Sequence, residues 1–322
     1  MNQPAAPQDT GGGMGRVVAR FGQRYIVALE GAAANTGAGT EPGPAGTAPE
    51  VDAIGRGRRQ DIVVGDRVRC SRETDLYVIE HVEERRNLLY RSDDNRTKPL
   101  AANLDQVAIV FAAQPPPQPE FVWRALLAAG AAGVAPLAIL NKTDLPSAAA
   151  QAALALVEGL GTPVVRLSAR SDAAGARALL EEHCRGRASL FVGQSGMGKS
   201  TLLNLLIDSD LRTGALSRGG SHGRQTTTAT RWFAYGGGAV IDSPGFHEFG
   251  LAHLDANELV RWMPDFAAVT EPCRFADCRH AEEPDCPIRA AVARGQIRAE
   301  RYAFYRKLLA AQDPQGGGRV RR

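Results

Sequence analysis

Two short stretches constrain the architecture more tightly than anything else in the chain. "AILNKTD" ends at Asp144, and "GQSGMGKST" begins only at Gly193. The second fits G-x-x-x-x-G-K-[ST] and stands between an apolar run, "SLFV", and a helical one, "TLLNLLI". That strand–loop–helix framing is what a phosphate-binding loop needs. The first places an N-K-x-D tetrapeptide directly after the apolar run "PLAIL", at the carboxyl end of a strand, where open α/β sheets bind their ligands. In the usual arrangement of these two motifs the phosphate loop comes first. Here the order is reversed, so one site has to be assembled by a chain that enters its sheet at a different point.

The residue types say what each part can do. The loop comprises Gly193, Gln194, Ser195, Gly196, Met197, Gly198, Lys199, Ser200 and Thr201. Its glycines let backbone N–H groups wrap phosphates, and the adjoining helix adds positive potential. Lys199 is placed to reach the β- and γ-phosphates, and Ser200 to ligate Mg²⁺. In the tetrapeptide, Asn141, Lys142 and Asp144 read the base. A carboxylate at 144 accepts from both the ring N–H and the exocyclic amino group of guanine, a pattern adenine lacks, so GTP is selected over ATP. "LSA" adds Ser168 and Ala169, which support the guanine O6 from a further strand end.

"VIDSPG" brings Asp242, which can hold Mg²⁺ through water, and the Gly245 amide, which can sense the γ-phosphate. D-S-P-G is also ordinary turn chemistry. Between loop and turn, "GGSHGRQTTTATRW" reads as a mobile switch segment. One of Thr226, Thr227 and Thr228 there, with Thr227 favoured, coordinates Mg²⁺ and the γ-phosphate as a switch threonine does. The order is then base reader, base support, phosphate loop, switch one, switch two, which is a circular permutation of a GTPase.

Around this core the texture divides the 322 residues. Residues 1–13 are polar and read as disordered. From 14 to 100 the runs "GRVVARFGQRYIVAL", "DIVVGDRVRC" and "LYVIEHV" are short and β-like, predicting a small barrel that either binds nucleic acid through a basic loop or is purely structural, with 31–50 as a low-complexity loop inside it. From 101 to 262 buried apolar strands alternate with helical runs near 120–130, 147–159, 172–184 and 199–208. That pattern predicts a mostly parallel sheet covered on both faces. The run at 121–140 is the most membrane-like, but Arg124, Pro136 and its glycines break it into helix, turn and buried strand. With no secretory signal at the start, a cytoplasmic protein is expected.

The segment 263–322 is expected to be mostly helical, with a basic tail. It also carries three of the five cysteines. "CRFADCRHAEEPDC" spaces Cys273, Cys278, His280 and Cys286 as three thiolates and one imidazole, a closed tetrahedral set that suits structural Zn²⁺. Cys70 and Cys184 stand apart and read as ordinary buried residues. The net charge of +3 is too small to name a partner, but from Arg289 to Arg322 nine Arg/Lys face two acids, and "GRGRRQ" at 55–60 is a second basic knot. Clustered charge of this kind suits a phosphate backbone, or else is a solvated tail and loop.

With "NKTD", "LSA", "GQSGMGKST", "GRQTTT" and "DSPGF" in this order, a barrel before them and a Cys/His cluster after, the chain resembles the small ribosomal subunit biogenesis GTPase RsgA family, also called YjeQ. The resemblance covers about 14–312. It implies an N-terminal OB-fold, a central permuted GTPase domain and a C-terminal zinc domain. It also implies hydrolysis of GTP to GDP in late maturation of the small (30S) subunit, stimulated by that subunit, with 16S rRNA as a partner. A monomer is expected. Where the family usually has His before the switch-one threonines, this chain has Gln225, with His222 three residues earlier, and Phe246 stands where a Ras-like glutamine would. Either Gln225 positions the attacking water or the ribosomal partner completes the site. The competing readings are an RNA-binding scaffold whose nucleotide site is mainly structural, and a P-loop kinase or ATPase; Asp144 speaks against the last.

Overall fold

The computed structural model describes residues 12–31, 48–57, 61–74, 76–93, 96–207, 229–244, 248–251 and 253–312. The first five strands are β1 (Gly13–Phe21), β2 (Arg24–Leu29), β3 (Glu50–Gly55), β4 (Arg67–Glu73) and β5 (Leu76–Val82). Their neighbours run β1-β2-β3-β5-β4, and β4 pairs back onto β1. The sheet therefore closes and leaves no edge. β3 and β5 run parallel, and this five-strand order is the OB-fold. Alternation supplies the barrel core, with Val17, Tyr25, Val27, Val51, Ala53, Val68 and Ile79 buried together. On the outer face the arginines are paired: Arg24 with Asp52 at 2.9 Å, Arg67 with Glu30 at 3.0 Å and Arg56 with Glu80 at 2.6 Å. Exposed pairs add little stability, but they mask the barrel's positive charge.

The β-like run "DIVVGDRVRC" is split by a turn, and β4 begins only at Arg67. Gly65 makes that turn at φ +94°, and a Cβ there would lie 2.0 Å from the Ala102 carbonyl oxygen. Its own carbonyl accepts from Arg16 Nη1 at 3.0 Å and from Asn103 Nδ2 at 2.9 Å. Next to it the buried Asp66 accepts from Val63 N at 2.8 Å and from the Arg85 guanidinium at 2.7 and 2.8 Å. Gly65→Ala is therefore expected to destabilise the protein by about 2–3 kcal/mol, through both the positive φ and the clash. Urea unfolding measures this, and a wild-type midpoint would show that the contact relaxes freely.

Next come a hairpin, β6 (Leu88–Asp93) and β7 (Arg96–Ala102), and then the α/β region: β8 (Gln106–Ala112), α1 (Pro119–Ala131), β9 (Ala135–Asn141), α2 (Ala148–Gly159), β10 (Val164–Arg166), α3 (Ala173–Cys184), β11 (Ala188–Gly193), α4 (Lys199–Leu206), β12 (Arg231–Tyr235) and β13 (Gly238–Asp242). These strands lie in the order β10-β9-β8-β11-β13-β12. Neighbours are parallel except β12, which runs antiparallel to β13. All of β8 is buried. Its alternate residues Val107, Ile109 and Phe111 face α1 and α2, while Ala108, Val110 and Ala112 face α3 and α4. The expected two-sided cover is present.

Local signals set the helix starts. Ser147 caps α2 by accepting from Ala150 N at 3.2 Å, and Asp172 caps α3 by accepting from Gly175 N at 2.9 Å; such caps satisfy otherwise unpaired N–H groups. The run at 121–140 is α1, a turn with Gly133 at φ +67°, and β9. No described helix is long and apolar enough to cross a membrane.

The chain then forms β14 (Glu248–Phe249), which pairs with β6 rather than with the large sheet. The remaining helices are α5 (Ala256–Arg261), α6 (Pro264–Ala267), α7 (Pro287–Ala293) and α8 (Ala299–Gln312). Phe266, Phe304, Tyr305 and Leu308 belong to the same apolar core as Phe121 and Trp123 of α1. Arg301 of α8 grips Asp265 with two bonds, at 2.9 and 2.8 Å, and lies 5.3 Å from the Trp123 ring. The cysteine segment is thereby fastened to α1.

Candidate functional site

Because β9, β10, β11 and β13 are parallel, their carboxyl ends open on one side, and the sequence motifs leave from those ends. β9 ends at Asn141, and the side chain of that residue organises the loops around it. Asn141 Nδ2 donates to the Met197 carbonyl at 3.0 Å, and its Oδ1 accepts from Ala169 N at 3.2 Å and from Lys142 N at 2.8 Å. One amide thus ties the base-reading tetrapeptide to the phosphate loop and to "LSA". Gly198, at φ +91°, is what lets it approach, since a Cβ there would lie 2.3 Å from Asn141 Nδ2. Lys142 turns through φ +60° and donates to the carbonyls of Gln114 at 2.6 Å and Gly196 at 2.8 Å. The Ser168 hydroxyl donates to Asp144 Oδ1. Asp144 itself is exposed, so its carboxylate stays accessible to a ligand.

On the other side, Gly193 ends β11 and α4 starts at Lys199. Lys199 Nζ donates to Asp242 Oδ1 at 2.5 Å and to the Ser243 carbonyl. Both charges are deep, with Lys199 9% and Asp242 2% exposed. Ser243 Oγ donates to the Phe191 carbonyl at 2.8 Å and fixes the turn after β13. Ser195, Ser200 and Thr201 are exposed along the loop and the first turn of α4, and Gln194 pairs with Gln118 at 2.6 Å. A cation and a helix N-terminus thus face one end of the site and an accessible carboxylate faces the other. That arrangement fits a polyphosphate carrying a base with two donors.

The second site is the cluster of Cys273, Cys278, His280 and Cys286, whose ligand atoms all lie within 4.8 Å of one another. The three sulfurs stand 3.4, 3.5 and 3.4 Å from His280 Nδ1, and Cys273 Sγ is 4.0 Å from Cys286 Sγ. Tetrahedral ligation at ordinary Zn–S and Zn–N lengths requires edges of about 3.5 and about 3.8 Å. The four donors therefore fit one metal ion. Burial and the neighbouring thiols push Cys273 up to about 12, so that thiol ionises readily only beside a cation that shares the charge.

The surrounding shell holds the backbone of the loop. The Arg279, His280 and Ala281 carbonyls accept from Tyr305, Tyr302 and Arg306 of α8, at 2.8, 2.8 and 2.9 Å. Burial alone would raise the Glu283 carboxyl. Backbone N–H groups, among them those of Arg279, Ala281 and Glu282, outweigh it and hold the group at about 2.

Comparison with known proteins decides what this pair of sites belongs to. Residues 82–252 match the RsgA GTPase family. The chain belongs to the RsgA GTPase family. A relative from Paraburkholderia phytofirmans, described as small ribosomal subunit biogenesis GTPase RsgA, is 44% identical over 316 residues, covering 95% of each chain. One from Burkholderia pseudomallei with the same description is 43% identical over 314 residues, again covering 95% of each. Among solved structures, YjeQ from Thermotoga maritima superposes with a TM-score of 0.65 at 28% identity, covering 96% of this chain and all 100% of that one. YloQ, described as a circularly permuted GTPase, does so with a TM-score of 0.65 at 24% identity over 98% of this chain and 100% of its own, and supports the fold.

As an RsgA GTPase the chain is a GTP-hydrolysing enzyme with its motifs in permuted order. Asn141, Lys142, Asp144, Ser168, Ala169, the loop from Gly193 to Thr201, and Asp242 stand at neighbouring strand ends. Gln225, Thr227 and Gly245 lie outside the described residues. Sequence reasoning missed several partners in this RsgA site. The Ser243 carbonyl and the Gln114 carbonyl under Lys142 were unsignalled, because backbone acceptors leave no mark on residue type, and the Gln118–Gln194 side-chain contact joins residues 76 positions apart. Ser243 alone could have been found, as the residue after Asp242 in a strand-to-turn motif.

Proposed function

We propose that this RsgA GTPase hydrolyses GTP to GDP and phosphate during late maturation of the small ribosomal subunit, and that the subunit stimulates it. The observation that carries the reading is the Asn141 amide, which holds the base reader, the base support and the phosphate loop in one unit. Relatives named for small-subunit biogenesis over 95% of the chain support the choice of partner. Ribosomal RNA meets the basic stretch at 55–60 and the basic C-terminal segment through its phosphates. Bacterial subunits mature in the cytoplasm, and the protein works there, as a monomer.

In this reading Asp144 accepts the two guanine N–H groups, with Ser168 and Lys142 holding it and the neighbouring loop in place. The N–H groups of residues 194–199 and the Lys199 ammonium hold the β- and γ-phosphates. Ser200 and Asp242, with Thr227, hold Mg²⁺, which supplies charge neutralisation on the phosphate oxygens when bound. Gln225 orients the water that attacks the γ-phosphorus as the bond to the GDP oxygen breaks. The cysteine cluster holds one structural Zn²⁺ and takes no part in the chemistry.

Asp144→Asn tests the base assignment. The amide presents a donor where guanine also has a donor, so affinity for GTP is expected to fall about 10²-fold or more. Xanthine carries an acceptor at that position and should bind the variant better than guanine does. Competition between xanthosine and guanosine nucleotides measures the switch. Unchanged preference for GTP would remove Asp144 from base reading. For the partner, turnover is compared with and without purified small subunits; tight subunit binding with no stimulation would favour the scaffold reading.

A further inference from the structure

The barrel borders the central sheet along β12. Among the described residues, β1 and β12 share a single backbone pair, Ala19 with Arg231. The Arg231 side chain makes a second link to the barrel. Its Nη2 donates to both carboxylate oxygens of Glu50, the first residue of β3, at 2.7 and 2.5 Å. The third link points the other way. In the β12–β13 ladder Arg231 stands opposite Asp242, the carboxylate that holds Lys199. Barrel backbone, barrel carboxylate and the strand position of Asp242 thus meet at Arg231.

The chemistry makes the joint stiff. The two side chains are only 12% and 25% exposed. Nε and Nη1 of Arg231 are buried and have no hydrogen-bond partner among the described residues. A buried guanidinium that leans on one carboxylate cannot release it without leaving its charge uncompensated. Beside it, Arg16 of β1 lies over the Trp232 ring at 4.6 Å, which presses the next residue of β12 onto the barrel as well. A shift of the barrel therefore carries β12 with it. β12 is paired to β13 along its whole length, from Arg231 opposite Asp242 to Tyr235 opposite Gly238.

We propose that Arg231 is a positioning residue for GTP hydrolysis, through which engagement of the barrel by the RNA of the small subunit sets the Asp242–Lys199 pair. The coupling rests on the subunit-stimulated hydrolysis proposed above. Arg231 touches no reacting atom; it acts through Asp242. Coupling of this kind needs a contiguous element that both sites bias, and here that element is one strand pair.

Full-length protein, fluorescent GTP and purified small subunits provide the test. Glu50→Gln keeps the shape of the side chain and removes the charge. Nucleotide affinity and subunit-free turnover are expected to stay within about twofold of wild type, while turnover at saturating subunits falls about tenfold. Co-sedimentation confirms saturation, so that lost binding is not mistaken for lost coupling. The double variant Glu50→Leu with Arg231→Met replaces the ion pair by apolar groups and guards against misfolding. It should melt near wild type and show the same loss of stimulation.

Stimulation of Glu50→Gln equal to wild type overturns the proposal. So does an equal fall in stimulated and subunit-free turnover, which is what a merely structural joint would give. Failure of the wild-type protein to bind GTP, or to respond to subunits, strikes the functional reading itself and takes the coupling with it; the wild-type control alone distinguishes that case.

Discussion

Lys199→Ala is expected to lower GTP turnover by about 10²–10³-fold, with or without small subunits, because in the proposed site it removes the phosphate loop's cation from the transferred group. The same change acts on the fold. Lys199 Nζ lies 2.5 Å from Asp242 Oδ1, and both side chains are nearly closed to solvent. Removing the cation leaves a buried carboxylate beside a cavity, which costs about 3–5 kcal/mol in comparable pairs. Adding Asp242→Asn should relieve most of that cost and restore none of the activity. Thermal melts and single-turnover hydrolysis of the two variants therefore separate the structural role of the pair from the chemical one. Wild-type turnover by Lys199→Ala would show that GTP is hydrolysed elsewhere.

The parts of the site that could be read from sequence are those whose chemistry is local. A glycine at φ +91° beside a lysine at the start of α4 is a requirement that one short segment states by itself. The same holds for the capped helices and for β8, whose unbroken apolar run announces burial on both faces. What stayed hidden depends on partners far along the chain. β14 is two residues long and pairs with β6 more than 150 positions earlier, as Phe249 opposite Arg91; no period exists in two residues.

The hairpin was more accessible. "LLYRSD" and "RTKPLAA" are each long enough to carry a pattern, yet the barrel range of 14–100 ends inside β7. Arg231 illustrates the limit most clearly. In sequence it is one arginine after a threonine-rich stretch, and only the fold sets it between Glu50 and Asp242. The barrel's arginines show the same limit. Along the chain nothing marks Arg24, Arg67 and Arg69 as paired, whereas in space each faces a carboxylate.

Extraction of the metal is expected to unfold the C-terminal segment while the nucleotide site survives. Between α6 and α7 the chain runs through residues 268–286 with no helix or strand. Cys278, His280 and Cys286 are the buried residues of that stretch, so the ligands themselves are its core. A structural zinc site contributes about 10–16 kcal/mol of binding free energy, comparable with the whole stability of an ordinary domain. Without the ion, nothing joins the three thiols and the imidazole that lie within 4.8 Å of one another. Cys278→Ser, or a strong chelator, should therefore abolish binding of one Zn²⁺ per chain and lower the melting temperature.

The loss should spread along a definite path. Tyr302, Tyr305 and Arg306 would release the loop carbonyls. Hydrogen exchange would then rise through α8 and into α1, whose Trp123 packs on Phe304 at 5.4 Å. GTP binding at Lys199 should persist, because among the described residues the side-chain bonds of Lys199 and Asn141 reach none beyond Ser243. Because the thiols bind metal only when deprotonated, protons compete with it, and extraction should quicken as the pH falls. Metal-free protein that melts and exchanges like the loaded form would show that the Cys/His loop folds on its own packing, and would return the four ligands to the status of neighbours.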